Sequence, residues 1–250
     1  MYVIFGNYGD ETIALMQWAH ERQLAAVTVV HIDTGWAAAG WQARVEQAQA
    51  YAKQCTFKVA TLPAKKNFAQ LMKAQKNFPT TKFQWCAGFL KGLAFLEWLD
   101  QVDPAAEATI LMGLRRAISG SHINLPEFVE ESSQFGERKM WYPLFACSNE
   151  QRDRLIQSAG FEILNHRSLE CDPCVNNTPI DFIRLQNADI EKTAMLEQQL
   201  DKFMFAPQSY GDSQGIKQVV AWIKKNDTVA KSNGSEQFDM GCGAPFGCGL

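Results

Sequence analysis

AVTVVHIDTGW, residues 26–36, decides the fold. Its first seven residues, AVTVVHI (26–32), are β-branched and continuous rather than alternating. That pattern belongs to a strand buried on both faces, and such strands sit in parallel sheets covered by helices. The strand ends in Asp33-Thr34-Gly35-Trp36. Upstream, MYVIF (1–5) reads as a short buried strand, followed by the turn-rich Gly6-Asn7-Tyr8-Gly9-Asp10. The next stretch, ETIALMQWAHERQ, carries apolar residues at 13, 15, 16 and 19, a helical spacing. Downstream, GWQARVEQAQAYAKQ (40–54) reads as a helix and TFKVATL (56–62) as a third strand. The order β-α-β-α-β implies a parallel sheet with right-handed crossovers.

The pattern continues less regularly. Residues 66–101 read as mostly helical, and ATILMGL (108–114) as another buried strand running straight into Arg115-Arg116. The polar segment 117–138 has no firm period and is expected to be a mobile loop. KMWYPLF (139–145) is a shorter strand candidate. SNEQRDRLIQSAG (148–160) opens on a helix N-cap serine and closes on a glycine. Residues 180–230 are polar and helical with breaks, and the last twenty, rich in Gly and Ser, are expected to be a flexible tail. The expected architecture is α/β: a Rossmann-like parallel sheet flanked by helices in domain 1–180, then a helical extension and a Cys- and Gly-containing tail over 181–250.

Composition narrows the function. The chain has 250 residues, 46% hydrophobic and 20% charged, enough for a sizeable core. A net charge of −3 argues against a globally basic nucleic-acid binder. No apolar run approaches the roughly 20 residues that span a bilayer, and the N-terminus has no basic n-region. The expectation is a cytoplasmic protein without membrane contact. Seven cysteines, at 55, 86, 147, 171, 174, 242 and 248, make structural disulfides an unlikely use in a reducing compartment. Cys55 and Cys147 read as small buried hydrophobes. Cys171 and Cys174 form a C-x-x-C, which lets two thiolates converge on one metal or cluster, or serves as a redox dithiol. Thioredoxin-type pairs start a helix after a strand, and LECDPCVNN has no such signature.

In open α/β sheets ligands bind beyond the carboxyl ends of the strands. Gly6, Asn7, Tyr8, Gly9 and Asp10 lie at one such end, where backbone N–H groups and a helix N-terminus favour a phosphate. Asp33, Thr34 and Gly35 lie at the second, with Asp33 suited to accept from a ribose or an adenine amine. Trp36 reads as core in preference to a base-stacking residue. Gly113, Arg115 and Arg116 lie at the third. Successive residues of an extended chain point to opposite sides. One arginine therefore reaches the pocket, with the bidentate geometry that suits phosphate or sulfate, and the other reaches solvent or a carboxylate. Lys91 is a candidate second positive charge. Arg138 and Arg167 are weaker candidates for the same anion, and His122 for ligand contact.

With these residues in view, the chain resembles the phosphoadenylyl-sulfate (PAPS) reductase family of the adenine-nucleotide alpha-hydrolase-like superfamily. The resemblance rests on FGNYGDETIAL, HIDTGW, WCAGFLKG, MGLRRAIS, WYPLF and RSLECDPC, in the family's order, over about residues 1–180. The chain departs from the superfamily's ATP-pyrophosphatases in having no lysine in the 6–11 loop, and Ala117-Ile118-Ser119 replaces the reductases' usual acid-serine pair. The resemblance implies an adenine nucleotide or sulfonucleotide as ligand and a thiol electron donor or sulfur donor as partner. It also implies a [4Fe–4S] cluster on Cys86, Cys171 and Cys174, with zinc as the alternative metal. Cys86 stands alone as WCA where iron–sulfur members carry a cysteine or a pair. The tail, GCGAPFGCGL, offers Cys242 or Cys248 as the missing ligand. In the reductases a tail cysteine is also the nucleophile, so Cys248 and Cys242 are the catalytic candidates. The implied reaction is thiol-dependent reduction of an adenylyl or phosphoadenylyl sulfate. The alternatives are an ATP-dependent sulfurtransferase acting on a tRNA base or similar acceptor, and a non-catalytic nucleotide-binding member. The oligomeric state stays open.

Overall fold

Six strands form one sheet in the order β3-β2-β1-β4-β6-β5. They are β1 (Tyr2–Phe5), β2 (Val27–Asp33), β3 (Lys58–Pro63), β4 (Thr109–Leu111), β5 (Phe128–Ser132) and β6 (Arg138–Trp141). All neighbours are parallel except β5, which runs antiparallel to β6. This computed structural model describes residues 1–81, 83–116, 126–205 and 211–226. The strand order reverses between β1 and β4, so the loops after those strands open at the topological switch point.

Helices cover both faces: α1 (Asp10–Glu21), α2 (Trp41–Gln54), α3 (Phe68–Gln75), α4 (Trp85–Ala87) and α5 (Leu93–Val102), then α6 (Asn149–Ser158), α7 (Pro179–Arg184), α8 (Asn187–Leu200) and α9 (Gly215–Lys225). A π-helical turn, Gly88–Gly92, joins α4 to α5. The strands alternate between two cores. Val3, Phe5, Val30, Ile32 and Ile110 pack with Phe95 and Leu99 on one face. Ile4, Val29 and Leu111 pack with Ile13, Val45 and Ile156 on the other. The serine read as an N-cap does that work: Ser148 and Gln151 form a reciprocal capping box on α6.

A third core joins the C-terminal helices to the sheet's carboxyl edge. Phe182, Leu196, Ile216, Val219 and Ile223 pack there with Trp36, Phe68, Met72, Leu90 and three cysteines, Cys86, Cys171 and Cys174. Glu197 fixes α9 by accepting from the Ile216 amide at 3.0 Å and the Met204 amide at 2.9 Å.

Two expectations are corrected. The segment read as a loop over 117–138 contains strand β5. As an edge strand paired only to β6 it keeps Phe128, Glu130 and Glu131 exposed and shows no apolar alternation. The strand read over 139–145 ends at Trp141, because Pro143 has no N–H and Phe145 bonds back to the Tyr142 carbonyl at 3.0 Å. The 117–125 stretch, with His122, and the tail after residue 226 lie outside the described residues.

Candidate functional site

The loop after β1 is held by its own side chains. Asn7 is buried, and its Oδ1 accepts from the Gly9 amide at 2.9 Å and from the Thr12 hydroxyl. A Cβ on Gly6 would lie 2.4 Å from Thr12 Oγ1, so this tight turn requires glycine. Tyr8 takes a positive φ of 61° and is fully buried, its ring 5.2 Å from that of His31. Helix α1 begins at Gly9 without a side-chain cap. Asp10 turns inward, bonded by Arg44 at 2.9 Å and by the Leu164 amide at 3.0 Å. Its carboxyl is nevertheless raised above the usual range, because burial outweighs Arg44.

The arginines after β4 separate as successive extended residues should. Arg115 is 1% exposed and grips Glu11 with two bonds, of 2.9 and 3.0 Å, while also donating to the Cys147 carbonyl. It is therefore occupied by a carboxylate and is not the anion-facing arginine of the pair. Arg116 is exposed, its guanidinium 4.9 Å from the Phe145 ring centroid. Gly113 lies against α1, where an added Cβ would meet the Glu11 carbonyl at 2.9 Å. Arg138 is also engaged elsewhere. It opens β6, at the amino edge of the sheet, and bonds Asp103 at 2.7 Å and Asp100 at 3.2 Å.

The loop after β2 carries the C-x-x-C segment. Asp33 is exposed and its Oδ1 accepts from the Gly35 amide at 2.8 Å. The Thr34 hydroxyl donates to the Glu170 carbonyl at 2.7 Å. Trp36 pairs with Cys171 as a parallel bridge, and its indole donates to the Pro173 carbonyl at 3.1 Å. The same indole stacks on Phe68, with centroids 4.6 Å apart, and is core as expected.

This docking brings Cys171 and Cys174 to Cys86. All three are buried and unbridged by disulfides. Burial, then the neighbouring Cys174, pushes the Cys86 thiol up to about 12. Burial, Cys174 and Cys86 together hold the Cys171 thiol well above its ordinary value. Arg167 donates to the Asn176 carbonyl at 2.6 Å and is charged beside Cys174, so it serves this cluster. Among the described residues, no group of three or more His, Cys, Asp or Glu stands in the geometry of a single metal-ion site. The donor chemistry, sulfur only, is that of iron–sulfur or zinc centres. Cys55 is buried as a small apolar residue, while Cys147 is only half-buried.

Two residues join the site that motif reading passed over. Glu170 is buried and ion-paired with Lys91, whose side chain is 4% exposed, so Lys91 faces a carboxylate inside the protein. Glu170 Oε1 also accepts from the Asn7 side-chain Nδ2 at 3.3 Å. His31 is the lone ring-bearing polar residue of the β2 run, and that was its signal. It is buried, and its Nδ1 has no hydrogen-bond partner among the described residues. Burial lowers its pKa below the ordinary histidine value. The folded protein therefore binds the His31 proton less readily than the unfolded chain. Its contribution to stability is complete above about pH 6.5 and is lost as pH falls below that value. The urea-unfolding free energies of wild type and His31→Asn are expected to diverge between pH 7 and pH 5, with wild type losing more. Parallel curves would refute this.

The fold and the residues at its edge define a mostly parallel, Rossmann-like α/β protein with its candidate site at the carboxyl edge, beside a buried thiol cluster. The family model for the phosphoadenosine phosphosulfate reductase domain matches residues 2–165, and the chain belongs to that family. A comparison with curated proteins finds no match. Similar solved structures include the PAPS reductase of Candida auris in a phosphate complex. It is 12% identical, with 65% of this chain and 74% of that one covered and a TM-score of 0.46. NMN synthetase from Francisella tularensis is 11% identical over 91% of this chain and 85% of that one, with a TM-score of 0.48. FMN adenylyltransferase from Candida glabrata in complex with ATP is 13% identical over 62% of this chain, with a TM-score of 0.43, and the match spans 45% of that protein. Membership rests on the domain match. Among the described residues no helix is long and apolar enough to cross a membrane.

Proposed function

We propose that the protein is an enzyme of sulfur metabolism. In this reading it binds an adenine nucleotide at the carboxyl edge of the sheet and carries a [4Fe–4S] cluster on Cys86, Cys171, Cys174 and Cys242. Its reaction is the thiol-dependent reduction of an adenylyl or phosphoadenylyl sulfate. The observation that carries the reading is the meeting of Cys86, 85 positions before Cys171 in the chain, with the C-x-x-C inside one core at the nucleotide edge. Three buried free thiols gathered in one core offer an all-sulfur donor set, the kind that holds an iron–sulfur cluster. When bound, such a cluster supplies a charged inorganic centre beside the pocket.

The remaining work falls to the chain's own groups. Arg116 and the exposed Asp33 and Gly35 form the polar rim for the nucleotide. The Cys248 thiolate attacks the sulfate sulfur; the new S–S bond forms as the S–O bond to the nucleotide breaks, and the nucleotide leaves with its phosphate oxygen. A thiolate of the donor then attacks the Cys248 sulfur, forming a mixed disulfide and releasing sulfite; the donor's second thiol displaces Cys248 as a thiolate, so the donor leaves as a disulfide and supplies both electrons. The test is sulfite release from adenylyl sulfate and from phosphoadenylyl sulfate with a reduced dithiol. Activity in wild type and its loss in Cys248→Ser are expected. Full activity in a Cys242→Ser/Cys248→Ser double variant refutes the nucleophile, and adenylate plus pyrophosphate formed from ATP replaces reduction with sulfur transfer.

A further inference from the structure

At Glu170 the loops after β1 and β2, the π-helical turn and the C-x-x-C segment all meet. Its carboxylate accepts from Asn7 of the first loop and pairs with Lys91 of the turn. Its carbonyl accepts from Thr34 of the second loop, and the next residue is Cys171. These contacts are buried, with the Glu170 and Lys91 side chains 3% and 4% exposed. Asn7 in turn holds Gly9 and Thr12, and so sets the path of the chain into α1. A change in the position of the residue 170–171 backbone therefore reaches both ligand-edge loops through one side chain and one carbonyl.

We propose that Glu170 is a positioning residue that couples the nucleotide loops to the cysteine cluster, so that ligation at Cys171 and nucleotide binding strengthen each other through the Asn7–Glu170–Lys91 contacts. This inference rests on the functional reading above. Ligation of Cys171 fixes the backbone at residue 170, and with it the carboxylate that anchors Asn7. A loop already anchored loses less freedom when a nucleotide binds, which is the origin of positive coupling without a large structural change. Coupling of this kind is reciprocal. Lys91 is the counter-charge that keeps the Glu170 carboxylate buried and aimed at Asn7.

The experiment measures AMP binding by calorimetry, anaerobically, on protein reconstituted with iron and sulfide and on iron-free protein. Wild type is expected to bind AMP about tenfold tighter when loaded. Glu170→Gln is expected to load iron and bind AMP but to show a ratio below about twofold. Because Glu170→Gln leaves Lys91 buried without its partner, the Lys91→Met/Glu170→Gln double variant, which removes both charges, is measured beside it and is expected to lose the coupling too. A wild-type ratio near one, with iron and AMP both bound, overturns the inference and leaves the functional reading standing. So does a wild-type ratio retained in both variants. Loss of iron loading in both folded variants overturns it as well, since Glu170 then shapes the ligand set itself. A wild type that fails to bind iron or AMP overturns the functional reading and this inference together.

Discussion

Glu11→Ala is expected to cost about 3–5 kcal/mol of folding stability, the usual result of removing one partner of a buried ion pair. Arg115 is 1% exposed and its two strongest contacts are the Glu11 oxygens at 2.9 and 3.0 Å. Once Glu11 is gone, the Cys147 carbonyl, at 3.2 Å, is the one acceptor of Arg115 that remains among these contacts. The charge is then both desolvated and unpaired. Arg152, which also reaches Glu11 at 3.2 Å, is partly exposed and keeps Asp153 at 2.6 Å, so it adds less. At about 2–4 °C per kcal/mol for a chain of this size, the melting temperature falls by roughly 10 °C. A Glu11→Leu/Arg115→Met double variant is expected to recover much of the loss, since removing both charges also removes their desolvation cost. Urea unfolding of the three proteins decides the point. A Glu11→Ala loss below about 1 kcal/mol would show that water reaches Arg115.

That pair also marks where the sequence stops being readable. Continuous apolar runs revealed β1 to β4, because a strand covered on both faces has no polar alternation to disguise it. Edge strand β5 has solvent on most of its side chains and left no such trace. The glycine loop, HIDTGW and the cysteines were visible because their residue types carry chemistry by themselves. Their partners were not. Glu11 lies 104 positions from Arg115, and Glu170 lies 79 from Lys91, distances over which no periodicity speaks. Lys91 was therefore read as a charge for an anion, and the arginine pair was left with one member for the pocket and one for solvent or a carboxylate; the fold gives Lys91 and Arg115 each a buried carboxylate. Arg138 was misplaced for a related reason. A strand's first and last residues look alike in sequence, yet in a parallel sheet they lie at opposite edges.

Anaerobically reconstituted protein is expected to hold about four iron and four sulfide per chain, as a [4Fe–4S] centre requires. Cys86→Ser, Cys171→Ser and Cys174→Ser should each lose most of both, together with the visible absorption. Cys55→Ser should retain them, because Cys55 belongs to the core between α2 and the sheet, away from the thiol cluster. The same three thiols sit inside the core that fastens α7, α8 and α9 to the sheet edge. Metal held there binds the folded state and not the unfolded chain, so loaded protein should melt above chelator-treated protein. In the three serine variants that difference should vanish. Cys242→Ser and Cys248→Ser then separate the fourth ligand from the nucleophile: the ligand variant loses iron, and the nucleophile variant keeps it. One bound zinc without sulfide would replace the cluster with a closed structural site. A full complement of iron and sulfide in Cys86→Ser would remove Cys86 from the ligand set, and with it the argument that the two halves of the chain meet at a shared inorganic centre.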